Sequence, residues 1–465
     1  MKYEITGIPW IKSKERDFDI AFQSFYMVGQ DRKFFEKMGV DFEVKNHLAF
    51  SNGKLFYDER ELTEAKKYLQ DMADELPGFA KKMTDSFLAA AKNFEIFTND
   101  FNNLKLENRT ELLRTYEHYC SYILSLIPYS FIVSIILEEV AYRTAMKELE
   151  SKSKNPALTW ELLTAPTKRN KTNDAYQALS SIAEKYKRGE LKDRDLHVYL
   201  EMFGWIDYYK PIDTVPSVET LTKRIKELAS GLPITNKQEG QVVPRVENVS
   251  GFLQQLASVM KENVWARTYR REVMSYGFLK TRRMYQAISD ILNTRLEDLQ
   301  LIPFWEMTSI LKNDLKVSTA ELKKRKDKFV LVKLNGKTHL VSGSEADAYH
   351  ITEKKIRSDT LQGKTAFPGI VEGIVQIIKT REELQTFRRD SILVCPTVGL
   401  WMTPAVEKCS AIVTDAGGIL SHSAIVAREY KKPCIINTIQ ATTQLENGQK
   451  ILVDATNGVV RIEKR

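Results

Sequence analysis

Apolar residues recur three and four positions apart over most of the stretch from Glu61 to Leu311, as in "LTEAKKYLQDMADELPGFAKKMTDSFLAAAKNF", "NDAYQALSSIAEKYKRGEL" and "SVETLTKRIKELASGL". That spacing lays one apolar stripe along a helix, so this part is predicted to be mainly helical. Ser217 and Glu219 open the last of these segments like a capping box one residue short of the ideal spacing, and Gly231 closes it. Two shorter patterns differ. Asn52-Gly53 in "HLAFSNGKLFYDE" and Asn335-Gly336 in "FVLVKLNGKTHLVSG" (Phe329–Gly343) each sit between apolar residues. Asn-Gly accepts the positive φ of a tight turn, so both stretches are predicted β-hairpins.

From about Gly363 the pattern changes to short β-rich runs: "GIVEGIVQII", "SILVCP", "CSAIVTD", "KPCIINT" and "KILVDATNGVVRI". One helix, "SHSAIVAREYK", sits among them. The predicted fold class is therefore multi-domain, a large mainly α-helical domain followed by a small α/β domain. The expected division is a helical region over 1–341, a linker over 342–362 and the α/β domain over 363–465. The linker is polar and charged, with glycine near each end, as suits a hinge.

One helical stretch needs separate treatment. "YCSYILSLIPYSFIVSIIL" (Tyr119–Leu137) has no charged residue, near the length that spans a bilayer. It also holds four serines, three tyrosines and Pro128, and charged sequence flanks it on both sides. A buried helix broken near the proline is expected, not a membrane span. Its hydroxyls suit either a plain core helix or the wall of a small-molecule pocket.

Composition narrows the class. The chain has 465 residues, 43% hydrophobic and 28% charged, as in ordinary globular proteins. Its net charge of +8 comes from 69 basic and 61 acidic side chains spread along the sequence. The densest basic run, "ELKKRKDK", includes two acids and reads as a solvated connector, so no nucleic-acid partner is expected. The four cysteines, Cys120, Cys395, Cys409 and Cys434, lie far apart without CxxC spacing, which suggests neither a metal site nor a disulfide framework. The N-terminus has charges throughout and no apolar signal region, so a cytoplasmic location is expected.

Candidate chemistry centres on "TDAGGILSHSAIVAREY" (Thr414–Tyr430), which uses one of only six histidines. A buried strand "AIVTD" leads into Gly417-Gly418, where the backbone is unrestricted. A helix follows with Ser421 as its cap and His422 in its first turn. The free N–H groups and positive dipole end of a helix start favour anions. They disfavour imidazolium, so His422 is expected to present a neutral, nucleophilic nitrogen where a phosphoryl group is welcome. An ordinary exposed helix residue is the competing reading.

The same residues resemble the signature of the phosphohistidine swivelling domain of PEP-utilising enzymes. That domain is shared by phosphoenolpyruvate synthase, pyruvate phosphate dikinase, rifampicin phosphotransferase and phenylphosphate synthase. The pattern is carried by Thr414, Gly417, Gly418, Ser421, His422, Ala424, Ile425, Ala427, Arg428 and Pro433. The flanks "GKTAFPGIVEGIVQII" and "ILVDATNGVVRI" resemble its opening strands and closing hairpin. The resemblance implies a swivelling domain with His422 as the phosphorylated residue, supported by Thr414, Gly417, Gly418, Ser421 and Arg428. Ser423 stands where most members have alanine, and its hydroxyl would reach a phosphoryl oxygen. Val398-Gly399-Leu400 replaces the usual proline-containing turn.

The helical part resembles, more loosely, the substrate region of rifampicin phosphotransferase-like chains, in "MFGWIDYYKP", "RTYRREVMSYGFLKTRRMYQAI" and "PFWEMTSILK". Gly204-Trp205-Ile206 stands where antibiotic-modifying members have Gly-His-Arg, which argues against rifamycin as the acceptor. No ATP-grasp pattern and no Gly-rich phosphate loop is found, so the implied donor is a separate ATP-grasp protein. That partner would bind ATP with Mg²⁺ and release AMP and phosphate; this chain alone is expected to bind no cofactor and no metal. Candidate acceptor-binding residues are Tyr122, Trp205, Asp207, Tyr208, Tyr209, Arg267, Arg271, Glu272, Arg282 and Arg283, polar or aromatic on apparent helix faces. The expected function is transfer of a phosphoryl group through His422 to a small molecule. A phosphocarrier or regulatory binding protein without acceptor chemistry is the alternative.

Overall fold

The computed structural model describes residues 5, 7–15, 19–153, 156–208, 210–212, 217–229, 249–351, 359–398, 402–415, 417, 422–438 and 440–462. The chain is mainly helical, with a small α/β region toward its C-terminus. It groups into two compact units, one drawn from residues up to His350 and the other built on Ile351–Arg465.

In the first unit the predicted helical stretch resolves into separate helices. "LTEAKKYLQDMADELPGF…" becomes Glu59–Asp71 and Leu76–Asn99, joined by one 3₁₀ turn at Ala73–Glu75. Leu62, Ala65 and Leu69 form the buried stripe of the first, at the spacing read from the sequence. The box expected from Ser217 and Glu219 is made instead by Ser217 and Thr220. Thr220 N donates to Ser217 Oγ at 3.2 Å, and Ser217 N donates to Thr220 Oγ1 at 3.0 Å. Thr220 stands at the ideal spacing, and a hydroxyl serves as well as a carboxylate for this reciprocal bond.

The stretch Tyr119–Leu137 differs from expectation in one respect. The helix Arg109–Phe131 runs through Pro128 without a break, and Ile132–Leu137 then takes a π-helical turn before the helix Glu138–Lys152. Proline cannot donate to the carbonyl one turn back, so the helix runs through Pro128 with one hydrogen bond missing, and the wide turn begins beyond it. Tyr119, Ile123, Ile127, Tyr129 and Phe131 are all buried. Among the described residues, no helix is long and apolar enough to cross a membrane.

The 42-residue helix Gly251–Leu292 packs along Leu76–Asn99 and forms the spine of this unit. The two helices approach closely at Gly277. A Cβ there would overlap Cε1 and Cζ of the fully buried Phe94.

Both predicted hairpins form. With β1 (Trp10–Glu15), the strands β2 (His47–Phe50), β3 (Lys54–Asp58), β4 (Phe329–Leu334) and β5 (Lys337–Ser342) make a sheet in the order β1-β3-β2-β4-β5. Asn335 and Gly336 have φ of 50° and 78°, as an Asn-Gly hairpin turn requires. The hairpins pair with each other through β2 and β4, which sets His47 directly opposite Lys333. Lys333 is fully buried; its Nζ donates to Asp31 Oδ1 at 2.6 Å and to Met27 O at 2.9 Å. His47 stacks on Tyr57 with centroids 4.2 Å apart and meets Gln30 Oε1 at 3.2 Å through Nδ1. Burial first, and Lys333 second, hold the His47 pKa well below the usual imidazole value.

The second unit holds eight strands: β6 (Thr360–Gln362), β7 (Lys364–Phe367), β8 (Ile370–Ile377), β9 (Ile392–Cys395), β10 (Ala411–Thr414), β11 (Cys434–Ile436), β12 (Lys450–Asp454) and β13 (Val459–Ile462). Their order is β6-β13-β12-β8-β9-β10-β11-β7. β8, β9, β10 and β11 run parallel; β7 and β12 join this block antiparallel. Successive side chains enter opposite cores, as the two-residue period of a strand demands. Leu393, Cys395, Ile412, Cys434 and Ile436 pack under the helices Thr403–Lys408 and His422–Glu429. Ile392, Val394, Ala411, Val413 and Ile435 pack on the other face with Ile451, Val453 and Val460.

Of the expected linker 342–362, Gly343–Ala348 is a 3₁₀ turn with Ala346 buried, and Thr360–Gln362 is β6, paired with β13. Residues 352–358 lie outside the described residues.

Candidate functional site

β10 is buried along its whole length because it lies between β9 and β11 with a core on each face. Its last residue, Thr414, pairs with Cys395, and the Thr414 carbonyl accepts from Thr438 N at 3.0 Å and Thr438 Oγ1 at 2.9 Å. Asp415 follows. Its N–H donates to Cys395 O, and its carboxylate accepts from Thr442 N at 2.8 Å and from the Thr442 hydroxyl. Burial raises the Asp415 pKa, and the Thr442 bonds work against that rise. The strand end is thus clamped by two threonines before the chain turns.

Gly417 has a φ of 148°, a conformation that side-chain-bearing residues rarely adopt. Gly418 and Ser421 lie outside the described residues. The helix begins at His422 and runs to Glu429. His422 is therefore the first helical residue after a strand and a glycine turn. The first N–H groups of a helix have no partner within it, so the backbone offers donors there to an anion.

Two neighbours fix this helix. Ser423 is fully buried, and its Oγ accepts from Val398 N at 2.9 Å with Thr397 Oγ1 at 3.4 Å. Its hydroxyl thus ties the first turn to the loop after β9. At the other end Arg428 Nε donates to Ala366 O in β7 at 3.2 Å. Arg428 lies six residues beyond His422, about 9 Å along the axis at ~1.5 Å per residue, and suits the negative end of the helix dipole.

Cys395, Cys409 and Cys434, distant in sequence, share the core beneath this helix as free thiols. Burial raises all three, with Cys409 pushed up to about 12. They are inert at neutral pH, because the thiolate is the reactive form. Among the described residues, no group of three or more His, Cys, Asp or Glu is placed to hold a metal.

Sequence reasoning passed over Asp415, Thr438 and Thr442. An aspartate directly after a buried strand was the available signal; the two threonines had none, because their partners are 24 and 27 residues away.

In the first unit the nominated acceptor residues meet separate neighbours. Tyr122 is half-buried against Phe97, with ring centroids 5.1 Å apart, and borders a surface groove. Trp205 is buried edge-on to Tyr276, and its Nε1 donates to Met202 O at 2.9 Å. Tyr208 is fully buried, and Arg282 donates to its hydroxyl at 3.0 Å. Arg267 forms an ion pair with Glu138 at 2.7 Å. Glu272, buried, accepts from Thr172 N at 2.6 Å and Thr172 Oγ1 at 2.7 Å, and burial raises its pKa. Arg283 is exposed and donates to Asn102 O; Arg271 is exposed. The Asp207 side chain and Tyr209 lie outside the described residues. The structure brings Tyr208 and Arg282 together and gives Trp205, Arg267 and Glu272 partners of their own.

Residues 387–458, which include the strand, the glycine turn and His422, match the family described as PEP-utilising enzyme, mobile domain. Over 130 residues the chain is 38% identical to the uncharacterized phosphotransferase YvkC of Bacillus subtilis (strain 168), covering 28% of this chain and 16% of that protein. It is 40% identical to the phosphoenolpyruvate synthase of Pyrococcus furiosus over 116 residues, 25% of this chain and 14% of the synthase. With the rifampicin phosphotransferase of Bacillus cereus the identity is 24% over 250 residues, 51% of this chain and 28% of that protein. The chain thus spans well under a third of the length of these relatives.

Proposed function

We propose that the second unit is a phosphohistidine swivelling domain that carries a phosphoryl group on His422 and makes this chain a phosphotransferase component. A separate ATP-grasp protein, holding ATP and Mg²⁺, donates the β-phosphoryl group to His422 while water takes the γ-phosphoryl group, so that AMP and phosphate are released. The helical unit binds a small-molecule acceptor. Its hydroxyl oxygen attacks phosphorus, the P–N bond breaks, and the hydroxyl proton passes to a base. Splitting the transfer through a covalent intermediate replaces one hard step with two easier ones. Catalysis in each half rests on positioning and charge stabilisation.

The single observation that carries the reading is His422 as the first residue of a helix that follows a buried strand and a glycine turn, inside the residues matched to the mobile domain. The similarity to rifampicin phosphotransferase supports the second half of the reading. Its 250 residues exceed the length of Ile351–Arg465, so it reaches into the helical unit. To visit a donor and then an acceptor the histidine must travel, and residues 342–362 are the proposed hinge.

The test is phosphorylation of the full chain by the ATP-grasp partner with ATP labelled at the β-phosphoryl group. Label on His422 that is acid-labile and base-stable is the expected result. Label surviving in His422→Ala overturns the assignment.

A further inference from the structure

A groove of about 350 Å³ lies on the first unit between Leu76–Asn99 and Arg109–Phe131, with Phe34 and Lys37 at one rim. Its volume is near the lower end of small-molecule sites, which run from ~300 to ~1,000 Å³. Tyr122 forms one wall, and its ring is backed by Phe97 at 5.1 Å and Phe94 at 6.2 Å, so it is a stiff aromatic platform. Phe34 supplies a second aromatic surface. Two cations sit over the Phe34 ring, Lys33 Nζ at 5.1 Å and Lys37 Nζ at 5.6 Å from its centre. Among the described residues, no carboxylate lines the groove.

Its polar lining is directional. Ser121 Oγ donates to His118 O at 2.8 Å, and Ser125 Oγ donates to Ser121 O at 2.8 Å. Each hydroxyl hydrogen is thereby engaged, so these oxygens serve a ligand as acceptors. Asn93 adds an amide that both donates and accepts. The groove therefore offers an aromatic platform, acceptors for a ligand hydroxyl, and a positive rim suited to an anion.

We propose that this groove binds a planar aromatic alcohol and its phosphate ester. The hydroxyl of the alcohol donates to Ser121 or Ser125, the ring stacks on Tyr122, and Lys37 holds the charge of the ester. The choice of phosphate as the anion rests on the phosphoryl-transfer reading above; the aromatic and cationic character of the site does not.

The experiment titrates the full chain, by calorimetry, with 1-naphthyl phosphate, 1-naphthol and inorganic phosphate. Saturable binding of 1-naphthyl phosphate is expected, about tenfold or more tighter than either of the other two. Lys37→Glu should weaken it at least about tenfold, and Ser121→Trp, which fills the groove from an exposed position, should abolish it. His422→Ala should bind as the native chain does. Absence of saturable binding, equal binding of inorganic phosphate, or indifference to both Lys37→Glu and Ser121→Trp overturns the proposal. Because binding needs no donor, its loss leaves the His422 assignment standing, and failure of His422 labelling leaves the groove result standing.

Discussion

The Oγ of Ser423 accepts the backbone N–H of Val398 at 2.9 Å, which joins the first turn of the helix that His422 opens to the loop after β9. A serine one residue from the proposed phosphorylated histidine thus uses its hydroxyl oxygen as an acceptor for the backbone. Ser423→Ala leaves a buried N–H without its partner, a loss of about 1–3 kcal/mol. The expected outcome is a lower urea midpoint for the second unit with His422 still labelled to full stoichiometry. A variant of native stability that cannot be labelled would instead place the Ser423 hydroxyl on the phosphoryl group.

Stability should depend on His47 in the mildly acidic range. Its folded pKa lies well below the ordinary imidazole value of 6.5, from burial and the positive charge of Lys333. The unfolded chain therefore binds the extra proton first as pH falls. This contribution is complete above the unfolded value and is lost below it, with a slope approaching about 1.4 kcal/mol per pH unit until the folded pKa is reached. His47→Phe should flatten the pH profile of chemical denaturation between about pH 5 and 7. An unchanged profile would show that folding leaves the His47 pKa at its unfolded value.

Asp415 should act with the opposite sign. Burial raises its pKa above the ordinary carboxylate value of 3.8, so the folded state holds the proton longer. Its contribution is greatest below the unfolded value and declines as pH rises through the folded one. Asp415→Asn, which keeps an acceptor for Thr442 N, should therefore gain stability relative to the native chain as pH is raised from about 3.5 to 7.5. The comparison is read from urea midpoints at each pH. A relative loss on raising pH would mean that the Thr442 bonds outweigh burial.

Gly277→Ala tests a close helix approach in the first unit. Alanine favours a helix over glycine by about 1 kcal/mol, but the added methyl would overlap the ring of buried Phe94. Overpacking costs about 1–3 kcal/mol, so a net loss of stability is expected. Phe94→Leu should restore part of it in the double variant, which a double-mutant cycle would read as coupling. A stabilised Gly277→Ala chain would show that the helices can separate at no cost.

Local rules were enough for much of this protein. Asn335-Gly336 specifies its turn because few other residue pairs accept positive φ at both positions, Gly53 supplies the single positive φ of the other turn, and both hairpins form where the sequence puts them. The strand, glycine turn and helix around His422 are legible for the same reason, since period, turn residue and helix start lie within a few positions of one another. What the sequence did not contain is any relation between distant segments. The β2–β4 pairing unites hairpins more than half a chain length apart and buries Lys333 opposite His47, a charge that periodicity alone would have placed in water. The same limit hid the threonine clamp on Thr414 and Asp415, and it scattered Trp205, Arg267 and Glu272 among separate partners. Pro128 shows the converse case: its local tendency to end a helix was overridden by the packing of Tyr119, Ile127 and Phe131 in the core. Sequence fixes φ, ψ and period over a few residues, whereas burial and partner choice depend on which faces meet, and only the folded chain decides that.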